Sequence, residues 1–382
     1  MQKINFLRGV PADEALQPLA DVFAGLYTKV FHEYGARVLQ YHIPGLADFC
    51  GFVPLKETLA GRFKARGDAN KRVICTNGGM ETVSFVFKSF PQGSIIATDA
   101  LTYDRVLIDI HKHNHVVIGV PLSDEGTDLD ELERVLAENK VMVFYQVGYH
   151  QSPTGITTTN ANLEAASEIC ARYGTLHLID IAYFELRYDG KQNKMIDLDK
   201  FPETTCIAGS FTKTISPGAK CGFGIFPESV VEKLTPVLSN TRLNPNYPTQ
   251  AAIHLYIDSG HYDKHLEFLI DLYKPRMEAM NQAIKNYLPE TKVAKLTGGF
   301  FVGLPLRGIS DENAFILAAE GKGVVLAAPT VFAPEWKERY YQENECVYFR
   351  LTFPAHTPEE NEKGIAIIAE VYNEVLNVRR QT

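Results

Sequence analysis

One lysine of this sequence stands among small hydroxyl residues rather than among charges. Lys213 lies in the stretch GSFTKTISPG, and the apolar run TCIAG (205 to 209) leads into it. A lysine that is withdrawn from water has a lowered pKa, so more of it is the neutral amine that attacks a carbonyl carbon. This placement indicates a Schiff-base lysine, and a solvated turn lysine is the alternative.

A carboxylate and a phenol follow another apolar run. Asp180 ends LHLID (176 to 180), and Tyr183 comes three residues later. A carboxylate at the end of a buried strand is poorly solvated unless it meets a cation, and a protonated pyridine nitrogen is a suitable partner. The alternative for Asp180 is the N-cap of a helix, where aspartate is common.

Two more strand ends carry residues that suit a flat, phosphorylated ligand. Gly78 and Gly79 follow VICT and open a helix, where backbone amides can hold a phosphate; a plain turn is the alternative. Tyr103 follows SIIATD, and its ring could stack on a flat ligand. Phosphate loop, aromatic ring, Asp with Tyr, then lysine is the layout of a pyridoxal phosphate (PLP) site.

These residues require a sheet whose strands present their carboxyl ends at one edge. From residue 71 to about 226, short apolar strands alternate with helical patterns, which predicts parallel strands joined by crossover helices. In such an open α/β sheet, ligands bind beyond the carboxyl ends of the strands. The predicted strands are 73–76, 94–99, 116–122, 141–147, 176–180, 205–211 and 221–226, and the predicted helices begin near Met80 and cover 104–112, LDELERVLAEN and 160–172.

The rest of the chain predicts a second, smaller unit. After residue 227 the pattern becomes mainly helical, and 292–353 holds three short strands, KVAK, GGFFVGLPL and CVYFRLTF. An amphipathic helix is predicted over 358–378. We expect one long helix near the boundary between the two units. The expected parts are an N-terminal segment (1–45) that packs on the small domain and on a partner subunit, a large PLP-binding domain (46–270) and a small C-terminal α+β domain (271–382).

Composition limits the classes of function. The 382 residues are 45% hydrophobic and 22% charged, and the formal net charge of -8 argues against a nucleic-acid surface. No run of 18 apolar residues predicts a membrane span, and the N-terminus lacks the apolar core of a signal peptide. The six cysteines form no CxxC pair, which is typical of buried thiols in a reducing cytoplasm. No metal site is predicted.

Several motifs in one order carry a family resemblance. LQY (39 to 41) and GFVPLKETLAGRF (51 to 63) are followed by TNGGMET, DALTY, SPTG, DIAY, SFTKTISPG and YFRLTF. In this order and spacing the chain resembles the fold-type I PLP-dependent enzymes of the class I/II aminotransferase family, and it is similar to the α-aminoadipate/kynurenine aminotransferase branch. The resemblance implies a large domain with a mostly parallel seven-stranded sheet and a smaller α+β C-terminal domain.

The resemblance also implies a role for each residue that matches a family motif. Lys213 would form the aldimine and later carry the proton at the substrate α-carbon, and Asp180 would keep the cofactor ring nitrogen protonated. Tyr183 would hydrogen-bond the 3-oxygen of the ring, and Tyr103 would cover the ring face. The residues implied in holding the cofactor phosphate are Gly78, Gly79, Met80, Ser210, Thr212, Lys220 and, in the neighbouring subunit of a homodimer, Tyr41.

A second group of residues is implied in substrate binding. Arg350, in CVYFRLTF, would hold the substrate α-carboxylate with its planar two-point fork, and Gly9 would approach the same carboxylate. Arg8 and Arg242 are candidates for reading the substrate side chain, with a surface or interface ion pair as the alternative for each. His150 lies in the loop beside Ser152 and could face the cofactor.

Two positions depart from the commonest family pattern. Lys220 stands where the family usually has arginine, so the cofactor phosphate would keep a cation but lose the planar two-point contact. Ser152, in SPTG, stands where the family usually has an asparagine that donates to the 3-oxygen of the cofactor ring. This exchange would leave more of that hydrogen bonding to Tyr183.

The predicted function is transamination. The enzyme would move the α-amino group of an amino acid to a 2-oxo acid, in the cytoplasm and without a nucleic-acid or membrane partner. The alternative is PLP-dependent elimination, replacement or cyclisation of an amino acid, as in cyclases resembling capreomycidine synthase. A PLP-sensing regulatory domain is a third reading. We expect it least, because the charge is acidic and no DNA-binding domain is expected before residue 1.

Overall fold

The computed structural model describes residues 3–333 and 346–381, with side chains as far as residue 376. Its strands are β1 (Ile4–Asn5), β2 (Ala47–Asp48), β3 (Gly51–Phe52), β4 (Val73–Thr76), β5 (Ile95–Asp99), β6 (Val116–Val120), β7 (Leu122–Ser123), β8 (Gly126–Thr127), β9 (Val141–Val147), β10 (Leu176–Asp180), β11 (Thr205–Ser210), β12 (Gly222–Ile225), β13 (Phe301–Arg307), β14 (Val324–Val325) and β15 (Cys346–Thr352). Its α-helices are α1 (Asp13–Leu16), α2 (Leu19–Tyr34), α3 (Val53–Arg62), α4 (Ala69–Arg72), α5 (Gly79–Lys88), α6 (Asp104–Lys112), α7 (Leu129–Glu138), α8 (Asn160–Tyr173), α9 (Glu228–Thr241), α10 (Tyr247–Asp258), α11 (His261–Tyr287), α12 (Glu312–Gly321) and α13 (Pro358–Gln381).

Seven of these strands form the sheet that carries the site. Their spatial order is β4-β12-β11-β10-β9-β5-β6, and only β12 runs antiparallel to its neighbours within this sheet. The prediction of a mostly parallel seven-stranded sheet is therefore confirmed. Because parallel strands end at one edge, the residues that follow β9, β10 and β11 meet there.

Helices cover both faces of the sheet. Successive residues of β10 show this, because Leu178 and Ile179 are both buried but belong to different hydrophobic clusters. In β9 (VMVFYQV), Val143 and Phe144 are likewise buried in two different hydrophobic clusters. Burial on both faces explains why these strands are nearly continuous apolar runs rather than alternating ones.

The smaller unit is built on an antiparallel pair. Strands β13 and β15 pair over seven residues each, and helix α13 packs against α11 and α12. The expected strands GGFFVGLPL and CVYFRLTF are present as β13 and β15. KVAK (292 to 295) was wrongly predicted as a strand, because the structure has no ladder there. The pair β13–β15 forms without that run.

Helix α11 joins the two units. It covers 27 residues, His261–Tyr287, and so spans about 40 Å. The predicted boundary between residues 270 and 271 falls inside this helix, as expected for a connecting helix. The predicted division of the chain into three parts remains a prediction.

The N-terminal segment lies against the smaller unit. Strand β1 pairs in parallel with β14, and the ring of Phe6 meets that of His356 edge-on at 5.3 Å between centroids. This anchoring places the residues after β1 at the entrance to the site. Among the described residues, no helix combines the length and the apolar character needed to cross a membrane.

Candidate active site

A cavity of about 620 Å³ opens where the sheet, the N-terminal segment and the smaller unit meet. Fourteen of the residues expected at the site line it, together with Asp104, Arg105 and Phe301, which the sequence did not single out. The expected residues in the lining are Arg8, Gly9, Gly78, Gly79, Met80, Tyr103, Ser152, Asp180, Tyr183, Ser210, Thr212, Lys213, Lys220 and Arg350. The cavity brings together residues from positions 7 to 350 of the chain.

Lys213 points into this cavity from the turn after β11. Its Nζ donates to the carbonyl oxygen of Gly9 at 2.6 Å and lies 5.8 Å from the ring centroid of Tyr183. Burial, and then the positive charge of Arg350, lower the pKa of Lys213 to about 8, while Asp180 opposes this shift. A large share of Lys213 is therefore the neutral amine in mildly alkaline solution.

A buried hydrogen-bond network supports the lysine turn from behind. The hydroxyl of Tyr262 hydrogen-bonds to the Oγ1 of Thr214 at 2.9 Å and to the Oε2 of Glu185 at 2.5 Å. Arg62 pairs with the same carboxylate, and its guanidinium lies 4.7 Å from the ring centroid of Tyr262. No signal in the sequence could have found this network, because its members are far apart along the chain.

Asp180 is a half-buried carboxylate with one donor on each oxygen. The backbone amide of Ala182 donates to Oδ1 at 2.9 Å, and the hydroxyl of Tyr145 donates to Oδ2 at 2.8 Å. Burial raises the pKa of Asp180, although both hydrogen bonds and Lys213 lower it in part. A cation placed beside this carboxylate would offset the penalty of burying its charge. Tyr145 was missed in the sequence, where its polar hydroxyl inside an apolar strand was the available signal.

The start of helix α5 forms a cradle for an anion. Gly78 has φ 138° and caps the helix, whose first amides are free for a ligand. Across from it, Ser210 Oγ donates to Thr212 Oγ1 at 2.8 Å, so two hydroxyls stand together. Glu81 accepts from the amide of Asn77, which closes the turn.

Arg242 supports this cradle and does not take part in binding the substrate side chain. Its guanidinium pairs with Glu81 at 2.9 Å and donates to the carbonyl oxygens of Phe49 and Cys75. These contacts hold the side chain behind the loop, and Arg242 is absent from the described cavity lining. The interpretation of Arg242 as a reader of the substrate side chain is therefore corrected.

Gly222 allows the cradle to close, and its replacement by alanine is expected to open it. A Cβ on Gly222 would lie 2.4 Å from the carbonyl carbon of Gly78 and 2.7 Å from the amide nitrogen of Gly79. Because backbone atoms must then move, we expect Gly222→Ala to lower the free energy of unfolding by about 1–3 kcal/mol and to weaken cofactor retention. Gly218→Ala is the control, since no close neighbour would meet its Cβ. Denaturant unfolding with and without PLP measures both effects, and equal behaviour of the two variants would contradict the expectation.

Arg350 reaches the opposite wall of the cavity from β15. Its Nη1 donates to Ser152 Oγ at 3.2 Å and its Nη2 to the carbonyl oxygen of Leu7 at 2.9 Å, while its buried Nε has no partner among the described residues. Gly9 is needed beside it, because a Cβ there would lie 2.3 Å from the ring of Phe301. Burial lowers the pKa of Arg350, yet a guanidinium keeps its charge at neutral pH.

His150 and Tyr41 do not face this cavity of their own chain. His150 is buried behind it with φ 52°, where it hydrogen-bonds to Thr157 and Asn193, and burial lowers its pKa to about 3. The interpretation of His150 as a residue that faces the cofactor is corrected, because the turn directs its ring away from the described cavity lining. Tyr41 is 69% exposed on the surface.

The residues present fit pyridoxal phosphate. The cradle at α5 offers amides, two hydroxyls and Lys220 to a phosphate, and Asp180 offers a half-buried anion to a ring cation. Lys213 offers an amine of lowered pKa to an aldehyde. The unpartnered Nε of Arg350 marks a donor edge that suits a carboxylate.

Comparison with known proteins gives the family. The family model described as "Aminotransferase class I and II" matches residues 44–368. The chain belongs to this family. It is a fold-type I aminotransferase that uses pyridoxal phosphate to transfer amino groups, and its pattern is similar to the aminoadipate/kynurenine branch.

Individual relatives of this aminotransferase agree with that assignment. The aromatic-amino-acid aminotransferase 1 of Thermococcus litoralis is 28% identical over 98% of this chain and 88% of its own. The 2-aminoadipate transaminase of Thermus thermophilus is 26% identical over 83% of this chain and 79% of its own. The crystal structure of Pyrococcus horikoshii kynurenine aminotransferase, in complex with PMP, KYN as substrates and KYA as products, superposes with a TM-score of 0.87. It is 26% identical and covers 98% of this chain and 91% of its own.

Proposed function

We propose that this aminotransferase moves the α-amino group of an amino acid to a 2-oxo acid in the cavity around Lys213. The observation that carries the proposal is the meeting of an amine of lowered pKa, a half-buried carboxylate and a buried guanidinium in one cavity. Lys213 holds the cofactor covalently, Asp180 pairs with its ring nitrogen and Arg350 binds the α-carboxylate of the substrate.

Each of these residues then has a defined task. Pyridoxal phosphate supplies the aldehyde that receives the amino group and a ring that withdraws electrons from the substrate α-carbon. Lys213 Nζ would accept the proton from the substrate α-carbon and return it during the transfer, as a buried amine of lowered pKa can do. Tyr183 and Ser152, which line the cavity, would hydrogen-bond the cofactor 3-oxygen, and Tyr103 would cover the ring. Arg350 fixes the α-carbon in place by holding the carboxylate in two-point contact.

Substrates with long side chains fit the entrance best. Leu7 and Val10 are exposed apolar residues in the lining, and Arg8 and Arg105 add two cations there. We therefore propose aromatic amino acids and 2-aminoadipate as donors, in agreement with the names of the relatives. Arg8 would contact the far end of the side chain.

An amino-acid panel tests this function. Purified holoenzyme is incubated with L-phenylalanine, L-kynurenine or L-2-aminoadipate and with 2-oxoglutarate as acceptor, and both oxo-acid product and glutamate are measured. Transamination gives the two products in equal amounts. Release of ammonia or of a cyclic product without consumption of 2-oxoglutarate would contradict the proposal.

Lys220 is proposed to neutralise the cofactor phosphate. It lines the cavity, and it has φ 49° and ψ 54°, a left-handed conformation that is costly for a residue with a Cβ. We expect Lys220→Ala to raise the dissociation constant of PLP about tenfold. Equilibrium dialysis measures this constant, and Lys200→Ala removes an exposed lysine as the control. Equal constants for the two variants would contradict the role.

We also propose a homodimer in which each subunit completes the site of the other. Three large apolar or aromatic side chains are exposed in the single chain. Leu39 (68%) and Tyr41 (69%) are close in sequence, and Leu243 (56%) follows Arg242, which supports the cradle. Such exposure suits a surface that a second copy covers. Tyr41 would reach the cofactor phosphate of the partner subunit.

The six cysteines are all buried and free, and this suits action in the reducing cytoplasm.

A further inference from the structure

The guanidinium of Arg350 lies between two phenylalanine rings. Its Cζ is 4.6 Å from the ring centroid of Phe301 and also 4.6 Å from that of Phe332. Both rings are buried, and so is the arginine side chain, of which only 8% is exposed. At this distance the negative face of an aromatic ring attracts a cation.

These rings matter because the polar contacts of Arg350 within residues 3–333 and 346–376 are weak ones. Its two described hydrogen bonds go to the neutral oxygens of Ser152 and Leu7, and the carboxylate of Asp104 lies 4.0 Å from Nη1. The hydrogen bonds restrain the fork only through neutral oxygens and leave Nε without a described partner, so the ring contacts add to what holds the guanidinium plane. A carboxylate accepts two-point contact only when that plane is fixed.

The two rings differ in what else they touch. Phe301 lines the cavity and meets the ring of Tyr183 at 5.7 Å, so its replacement would disturb the cavity directly. Phe332 lies outside the described cavity lining and packs in a small separate cluster with Leu101 and Ala327. Its carbonyl oxygen accepts from the amide of Thr102, which ties this segment to the turn before Tyr103.

We propose that Phe332 is a positioning residue for substrate binding: its ring fixes the guanidinium plane of Arg350 so that the fork faces the substrate carboxylate. The inference rests on the proposed role of Arg350 in binding that carboxylate. The ring of Phe332 contacts the guanidinium of Arg350, which lines the cavity, while Phe332 itself lies outside the described lining. Its effect is therefore specific to ligands that carry a carboxylate.

Replacing Phe332 by leucine tests this role. We expect Phe332→Leu to raise the dissociation constant of L-phenylalanine about tenfold, the size of a buried cation–ring contact, and to change the limiting rate less than about threefold. The first half-reaction of the holoenzyme, followed by stopped-flow absorbance at several concentrations, separates the two quantities. L-2-aminoadipate is measured in the same way. Binding of 2-phenylethylamine, which lacks the carboxylate, is expected to stay unchanged.

Two controls separate positioning from a general loss of packing. Phe315→Leu removes an equally buried ring that packs on Phe349 at 4.9 Å and does not contact Arg350. We expect it to leave the dissociation constant of L-phenylalanine unchanged. In a background of Arg350→Ala, Phe332→Leu is expected to have less than about twofold further effect, because its route to the ligand is already lost.

The possible results distinguish a failure of the role of Phe332 from a failure of the role of Arg350. If Phe332→Leu leaves the binding of L-phenylalanine unchanged, or weakens that of 2-phenylethylamine equally, Phe332 is not a positioning residue. If Arg350→Ala itself leaves carboxylate binding unchanged, the proposed function of Arg350 fails, and this result is distinct from a failure of Phe332 alone. A loss of cofactor that Phe332→Leu shows and Phe315→Leu does not would also overturn the proposal.

Discussion

Lys213→Ala is expected to lower the rate of amino-group transfer by about 10⁴-fold or more. The variant loses the proton carrier at the substrate α-carbon, which alone contributes about 10²–10⁴-fold, and also the covalent attachment of the cofactor. Single-turnover measurement with L-phenylalanine gives the rate, and the yellow absorbance of the attached cofactor is expected to disappear. Lys200→Ala, at an exposed lysine, is the matched control and should behave as the wild type.

The lowered pKa of Lys213 also predicts a pH dependence. The pKa of Lys213 is about 8, because burial and the charge of Arg350 disfavour the ammonium form. The neutral amine attacks the aldehyde, so the rate at which PLP attaches to the cofactor-free enzyme should rise about tenfold per pH unit below 8 and level off above it.

Removing the charge of Arg350 should move this profile in a known direction. Arg350→Ala takes away a positive charge that lowers the pKa of Lys213, so the profile should shift to higher pH. Attachment that is independent of pH, or retained colour in Lys213→Ala, would mean that another residue binds the aldehyde.

Asp180→Asn is expected to lower the rate by about 10²–10³-fold. The amide keeps the shape of the carboxylate but not its charge, and breaking a buried charge pair by removing one partner costs about 3–5 kcal/mol. The ring nitrogen of the cofactor then loses its anionic partner. Steady-state rates and a pH titration of the cofactor absorbance measure the effect together.

Two variants show whether the charge of Asp180 is the decisive property. Tyr145→Phe removes the hydroxyl that donates to Oδ2 but leaves the carboxylate, so only about a tenfold loss is expected. Asp99→Asn changes a buried aspartate at the end of another sheet strand, outside the described cavity lining. Burial raises the pKa of Asp99 to about 7, so this residue already carries a proton for much of the time at neutral pH and its replacement should matter little. An equal loss in all three variants would contradict the proposed pairing.

Much of the fold followed from local patterns in the sequence. The strands β4, β9 and β10 have the predicted bounds, because short apolar runs between turn residues are buried on both faces of a covered sheet. KVAK was wrongly predicted as a strand because a strand needs a partner strand, and the partner depends on residues elsewhere in the chain.

The site could be predicted only in part. Asp180 and Lys213 were found because Asp180 ends one strand and Lys213 lies in the turn after the next, and the carboxyl ends of parallel strands share one edge. Tyr145 and Phe332 were missed, since the first acts through a neighbouring strand and the second through Arg350. His150 was included because it stands next to Ser152 in sequence, although the turn sends its side chain to the other side.

Short motifs and local burial are enough to identify the family, the cofactor and the residues at strand ends. Which distant side chains share one environment follows from how the chain packs in three dimensions. The lowered pKa of Lys213 arises from burial and from Arg350, and the orientation of Arg350 depends on Phe301 and Phe332. Such effects require contact between the two units, and contact in space depends on how the units pack rather than on any local pattern.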